Sequence, residues 1–312
     1  MQDFKTKRKK VSLSVVIPSY KPGEDIFRCL GSVMDQSIDI PYEVIVVDSS
    51  PLNPEERIHN QFPRVQVYHL ESRTLSGRAR SHGARMASGD IVFFTDTDCV
   101  ADRDWIRELH AALEAGYGVA GGSVVNGTPD SAVGTAEYLL EFNETNPWIR
   151  SGEVRALPSC NLAVRKHIFE RVGYFPDFMK GEDTIFCENV IASGERIFFT
   201  PGARIYHRNR TRFVRFVRNQ VSLGEGALES RRRTSRPGRF LIRAPFLIPL
   251  IPVFRTLMIG KRFLFSSRRL FRSYLLHYPL IAIGILAHTW GFIRGPYRDG
   301  FSTENVKEYQ SA

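Results

Sequence analysis

Two short segments constrain this chain more than anything else in it. Val44-Ile45-Val46-Val47 runs straight into Asp48, and Ile91-Val92-Phe93-Phe94 runs into Thr95 and Asp96. Apolar runs without polar alternation are strands covered on both faces, and such strands belong to parallel sheets flanked by helices. Ser14-Val15-Val16-Ile17, closed by Pro18, is a third run of this kind, whereas Val65-Gln66-Val67-Tyr68 alternates as a half-exposed strand would. Between them lie helical patterns. Ile26, Leu30, Val33 and Met34 share one face over 25–36, and 77–87 is stopped by Gly89. The arrangement predicts an α/β fold with a doubly wound, mostly parallel, Rossmann-like sheet.

Further along, 105–115 reads as a helix that Asp102 or Asp104 caps, and 132–142 and 182–193 read as helices, the last stopped by Gly194. Ile197-Phe198-Phe199 and Arg204-Ile205-Tyr206 read as two short strands on either side of Pro201-Gly202. With 312 residues the prior is one large or two small domains. The four cysteines, Cys29, Cys99, Cys160 and Cys187, form no Cys-x-x-Cys pair. That spacing argues against zinc modules and disulfide scaffolds and fits a reducing, cytosolic setting.

Charge divides the chain. From 204 to 299 there are 20 Lys and Arg against three acids, while the remainder carries 23 bases and 30 acids. A basic block of this size implies an anionic partner. It is interleaved with two uncharged stretches, 244–254 and 273–293, the first broken by Pro245, Pro249 and Pro252. The second reaches the length of about 20 residues that a spanning helix needs, although His277, Pro279, Gly284 and His288 dilute it. If both stretches crossed a bilayer, the arginine-rich loop between them would lie outside, against the positive-inside tendency. The expectation is therefore interfacial or re-entrant contact with an anionic membrane surface, monotopic or peripheral, on the cytoplasmic face. A single spanning helix at 273–293 and a buried helical subdomain are the alternatives. No RNA-recognition, helix-turn-helix or zinc-finger signal supports a nucleic-acid partner. Residues 1–11 form a basic tail with Lys5, Lys7, Arg8, Lys9 and Lys10 but no apolar core of a signal peptide.

In open α/β sheets ligands bind beyond the carboxyl ends of the strands. Those ends are Pro18-Ser19-Tyr20, Asp48-Ser49-Ser50 and Asp96-Thr97-Asp98. Carboxylates one residue apart after a buried strand can both reach a hard divalent cation, which takes oxygen ligands and shares itself with phosphates. Taken alone, Asp-Thr-Asp is equally a turn and helix cap.

At this point the chain resembles a family 2 glycosyltransferase of the GT-A fold over about 12–207. The likeness is carried by Val15-Val16-Ile17-Pro18-Ser19-Tyr20, by Val46-Val47-Asp48-Ser49-Ser50, and by Ala79-Arg80 with Gly83 and the run Ala87-Ser88-Gly89-Asp90-Ile91 leading to Asp96-Thr97-Asp98. It continues through Pro158-Ser159-Cys160-Asn161-Leu162-Ala163-Val164-Arg165, Gly173-Tyr174-Phe175 and Gly181-Glu182-Asp183. Ser81 stands where the family usually has Asn.

The resemblance implies a GT-A domain over 12–210, with a nucleotide-binding half at 12–100 and an acceptor half at 101–210, followed by a helical, membrane-associating region at 211–312. It implies a nucleoside diphosphate sugar as donor. Pro18, Ser19, Tyr20, Asp48, Arg78, Arg80 and Asp96 are the candidate donor contacts, with Asp48 near the base. Asp96 and Asp98, with His207 as a third ligand, would hold Mn2+ or Mg2+ on the diphosphate. Asp183 would be the catalytic base, with Glu182 as a catalytic, acceptor-binding or orienting group and Asn161 as an acceptor contact. Trp148 would either stack on a sugar or pack.

One carboxylate opposite the leaving group, accepting the acceptor hydroxyl's proton, implies a single inverting displacement. The family's polymer-extruding members carry Gln-x-x-Arg-Trp after the base, and here neither Trp105, Trp148 nor Trp290 follows an arginine. The expectation is a non-processive hexosyl- or deoxyhexosyltransferase with a lipid-linked acceptor, in bacterial-type polysaccharide or glycolipid assembly. A transferase with a soluble acceptor and a non-catalytic membrane scaffold are the competing readings.

Overall fold

The computed structural model describes residues 12–177, 180–235 and 238–295. The basic tail at 1–11 and the end of the chain from 296 lie outside the described residues. The fold opens with β1 (Leu13–Ser19), α1 (Asp25–Met34), β2 (Tyr42–Asp48), α2 (Glu55–Gln61), β3 (Gln66–His69), α3 (Ser76–Met86), β4 (Ile91–Phe94) and β5 (Cys99–Ala101). It continues with α4 (Trp105–Glu114), β6 (Val119–Asn126), α5 (Ala132–Glu141), β7 (Gly152–Val154), β8 (Leu162–Arg165), α6 (Lys166–Val172), α7 (Glu182–Ala192) and β9 (Ile197–His207).

The nine strands form one sheet in the order β3-β2-β1-β4-β8-β6-β9-β5, with β7 also on β9. β1 pairs in parallel with both β2 and β4, whereas β8 runs antiparallel to β4 and β6. The chain winds outward from β1 in one direction and then returns to its other side with β4. The crevice between the carboxyl ends of these two strands is thus the topological switch point, where ligands bind in such sheets.

Alternation along the buried strands feeds two cores. Val15, Ile17, Val44, Val46 and Phe93 pack with Ile26, Leu30 and Val33 of α1 on one face. Val16, Ile45, Val47, Val92 and Phe94 pack with Ala79 and Ala84 of α3 and Phe186 of α7 on the other. Each fully buried side chain of this size contributes about 1.5–3 kcal/mol, so neither face tolerates polarity at these positions. α3 lies against the sheet because Gly83 has no side chain: a Cβ there would sit 2.4 Å from Val16 Cγ1.

The two short strands expected around Pro201-Gly202 are one strand, β9. Pairing with β6 steps from Gly122↔Thr200 to Ser123↔Arg204, so 201–203 bulge out of the ladder and Pro201 needs no N–H partner. The Ser123 hydroxyl donates to the Pro201 carbonyl at 2.9 Å across the bulge.

The C-terminal third is helical: α8 (Phe213–Arg233), α9 (Phe240–Arg243), α10 (Ile251–Ser266), α11 (Arg268–Leu276) and α12 (Tyr278–Arg294), with a 3-10 segment at Pro245–Leu250. α8 and α12 approach to backbone contact. A Cβ on Gly291 would lie 1.9 Å from the Val221 carbonyl oxygen, and one on Gly224 would lie 2.0 Å from that of His288. The single helix considered for 273–293 is corrected: the stretch breaks at His277, where α11 and α12 bend by 78°. Pro279, within the first turn of α12, has no N–H to carry a helix across the break. No single described helix is long and apolar enough to cross a membrane, although the bent pair meets that requirement jointly.

Candidate active site

A cavity of about 530 Å³ opens at the switch point. Of the residues singled out in the sequence, it is lined by Pro18, Ser19, Tyr20, Arg80, Asp96, Asp98, Glu182, Asp183 and His207. Five stretches of chain therefore meet: the end of β1, α3, the turn after β4, the start of α7 and the end of β9.

Arg80 is the hinge-pin of this meeting. Its side chain is only 3 % exposed, with Nη2 2.5 Å from Asp96 Oδ1 and Nη1 3.0 Å from Glu182 Oε1. Burial opposes its charge, but Asp96 and Glu182 outweigh that and hold the guanidinium more firmly protonated than usual. Glu182 also accepts from the Ser76 hydroxyl at 3.2 Å. Burial, and then the neighbouring negative charge of Asp183, raise the Glu182 carboxyl above its ordinary range, with Arg80 acting against them.

Asp183 is set by its helix start. Gly181 adopts φ +92°, a left-handed turn that a side chain would strain, and α7 begins directly after it. Asp183 Oδ2 then accepts the Ser159 backbone N–H at 3.3 Å. Close approach at the other wall also needs glycine, since a Cβ on Gly77 would sit 2.8 Å from Glu182 Cγ.

His207 ends β9, opposite Cys99 of β5. Its Nε2 lies 3.7 Å from Asp98 Oδ2, while Nδ1 lies 2.9 Å from Asn209 Oδ1, a partner that fixes the ring. Asp98, Cys99 and His207 bring ligand-type atoms within 4.8 Å of one another. Burial pushes the Cys99 thiol well up, while Asp98 and His207 offer a hard carboxylate oxygen and an imidazole nitrogen. The carboxylate and imidazole of this cluster suit a divalent ion such as Mn2+, whereas Asp96, paired with Arg80, is not among the three residues whose ligand atoms converge.

Three expected contacts have other roles in the structure, and Trp148 also lies off the cavity. Asp48 is fully buried and accepts from the Ser19 hydroxyl at 2.6 Å, from Ser50 N and Oγ at 2.8 Å each, and meets His69 Nδ1 at 3.2 Å. It ties together the ends of β1, β2 and β3 and does not line the cavity. Arg78 lies on the outer face of α3, 3.6 Å from Asp177. Asn161 is fully buried, its amide donating to the carbonyls of Ser123 and Ala203 at 2.9 Å each and accepting from Trp105 Nε1 at 2.8 Å. That network leaves no free group for an acceptor. Trp148 is 44 % exposed and does not line the cavity.

The structure adds residues to the cavity wall that the sequence reading passed over. Ser159 holds Asp183, and Lys180 and Arg210 bring positive charge. Ser230, Arg255 and His288 come from the C-terminal helices. A polar side chain within an apolar helical stretch was the available signal for Arg255 and His288.

Comparison with known proteins decides the family. The profile of Glycosyl transferase family 2 matches residues 14–173, just over half of the chain. The chain belongs to this family. Similar proteins include the glycosyltransferase AglE of Haloferax volcanii, 27 % identical over 70 % of this chain and 73 % of that protein. The glucosyl-dolichyl phosphate glucuronosyltransferase of the same organism is 25 % identical over 64 % of this chain and 69 % of its own length. Among solved structures, the mannosyltransferase PcManGT from Pyrobaculum calidifontis, in complex with GDP-Man and Mn2+, aligns with a TM-score of 0.61 at 18 % identity. That alignment covers 92 % of this chain and 88 % of that one. GalNAc-T7 with UDP, GalNAc and Mn2+ aligns at 0.52 and 18 % identity over 64 % of this chain but only 43 % of that protein. The GT-A fold of this glycosyltransferase thus extends beyond the segment matched by the family profile.

Proposed function

We propose that this family 2 glycosyltransferase moves a sugar from a nucleoside diphosphate sugar to a hydroxyl of a lipid-linked acceptor, by one inverting displacement, at the cytoplasmic face of a membrane. The observation that carries the reading is the Arg80 bridge. It ties Asp96, at the strand end where a diphosphate would bind, to Glu182, next to the candidate base Asp183.

Asp183 accepts the proton of the attacking hydroxyl, its orientation held by the Ser159 N–H. Glu182 and Arg80 keep that wall rigid, and Ser19 and Tyr20 frame the donor side. Asp96, Asp98 and His207 are the residues that would hold a divalent cation. When bound, Mn2+ or Mg2+ neutralises the charge that develops on the departing diphosphate. A single candidate base favours inversion, since a retaining route by covalent intermediate needs a carboxylate nucleophile as well.

Support for the lipid-linked acceptor comes from the name of the Haloferax glucuronosyltransferase and from the C-terminal helices. Phe246, Phe254, Leu257, Phe265 and Leu276 are each at least 66 % exposed, among many arginines. Apolar side chains at the surface interspersed with cations match an anionic lipid interface. The test is turnover of a panel of sugar nucleotides by purified protein, with Mn2+ or with EDTA, in the presence of polyprenyl-linked sugars. Folded protein that turns over none of them with the metal present would refute the assignment.

A further inference from the structure

The cavity does not end at the acids. Its wall continues onto the C-terminal helices, with Ser230 of α8, Arg255 of α10 and His288 of α12. Arg255 makes no hydrogen bond or ion pair with any described residue. Glu144, the acid that acts on it through space, is held instead by Arg262 at 2.7 Å. Arg231 lies close enough to oppose its charge, and burial together with Arg231 lowers Arg255 to about 10. His288 is only 9 % exposed, and its Nδ1 atom is buried with no hydrogen-bond partner. Burial and the two arginines keep its imidazole neutral. Lys180, two residues before Glu182, lines the same cavity.

A half-buried cation with no paired counter-charge is costly, and so is a buried polar nitrogen with no partner. Two such defects on one cavity wall are resolved together by a single anionic, hydrogen-bonding ligand. The outer side of α10 indicates what else the ligand carries. Val253, Phe254 and Leu257, flanking Arg255 on the same helix, are 60 to 67 % exposed. One helix therefore offers a guanidinium to the cavity and an apolar surface outside it, which suits an amphiphile with a charged head and a hydrocarbon tail.

We propose that Arg255, Lys180 and His288 Nδ1 form a subsite for the phosphate of the lipid-linked acceptor. The acceptor's sugar hydroxyl would then reach Asp183 while its lipid lies along α10. This rests on the reading of the chain as a transferase with a lipid-linked acceptor.

The experiment compares binding of farnesyl phosphate and of farnesol, in detergent, to the full chain and to Arg255→Gln. Sugar-nucleotide binding is measured on both proteins. The wild type is expected to prefer the phosphate, and Arg255→Gln to lose about tenfold or more of that affinity, the worth of one charged hydrogen bond. Donor affinity stays the same. The ligand-free melting temperature stays level or rises, because an uncompensated charge has gone, whereas a purely structural arginine would leave a less stable protein.

A phosphate preference that survives in Arg255→Gln overturns the subsite and leaves the transferase reading intact. A wild type that binds sugar nucleotide but ignores farnesyl phosphate overturns the lipid-linked acceptor itself. Equal displacement by inorganic phosphate, or phosphatidylglycerol vesicles that bind with the same Arg255 dependence, assigns the site to free phosphate or to headgroups and rejects the acceptor role.

Discussion

Asp96 Oδ1 lies 2.5 Å from Arg80 Nη2, and the other terminal nitrogen of that guanidinium reaches Glu182, so one buried cation secures both walls of the cavity. Removing one partner from a buried ionic network leaves charge stranded, at a cost of about 3–5 kcal/mol. Arg80→Ala is expected to lose stability on that scale in urea melts. Arg80→Lys, with a point charge in place of a two-pronged one, should keep part of the stability but weaken donor binding. An Arg80→Ala protein as stable as the parent would show that the bridge contributes nothing.

Asp183 is the proton acceptor in the proposed reaction. Asp183→Asn is expected to reduce turnover by about 10²–10⁴-fold while sparing donor affinity. Steady-state rates beside calorimetric donor binding check this. Undiminished turnover removes Asp183 from the chemistry.

Asn209 touches no substrate, yet its Oδ1 atom lies 2.9 Å from His207 Nδ1 and orients the ring toward Asp98. Asn209→Ala should raise the Mn2+ concentration needed for half-maximal activity by about 10-fold or more, the usual worth of such outer partners. Rescue at high Mn2+ separates this from damage to the fold. A titration midpoint that does not move would dissociate His207 from the metal.

Much of this architecture was legible in the sequence because hydrophobic burial is a local signal. The runs into Asp48 and Asp96 had to be buried strands, but of their two Asp-bearing ends only Asp96 reaches the cavity, since Asp48 is consumed by the hydroxyls and imidazole that tie the strand ends together. Which of two arginines enters that crevice was not legible. Arg78 and Arg80 are two positions apart on α3, so they point to nearly opposite sides, and only packing selects Arg80. Asn161 follows the same logic: its motif was readable, but whether its amide faced a ligand or the Trp105 indole depended on partners more than 35 residues away. Pro201-Gly202 resembled a strand end because a bulge in parallel pairing leaves no trace in a one-dimensional pattern.

A pH effect follows from the buried Glu137, which pairs at 3.2 Å with Arg210 of the cavity wall. Burial, and then the charge of Glu141, raise its carboxyl to about 7 against the pull of Arg210. The unfolded chain releases this proton in the ordinary carboxylate range, while the fold retains it until about pH 7. Stability therefore falls as pH rises through that window. Glu137→Gln should flatten this part of the profile, checked by thermal melts at about pH 5 and about pH 7.5. Identical slopes in the two proteins would contradict it.

The glycine contacts between α8 and α12 bring the two backbones together with no room for a side chain at either crossing. Only five residues separate His207, at the end of β9, from Phe213, where α8 begins. The close-packed α8–α12 pair is therefore joined by a short connection to the strand end that bears His207. The candidate metal ligand at the end of β9 and the helix pair that follows are thus neighbours along the chain, and a substitution that parts α8 from α12 begins only a few residues from it.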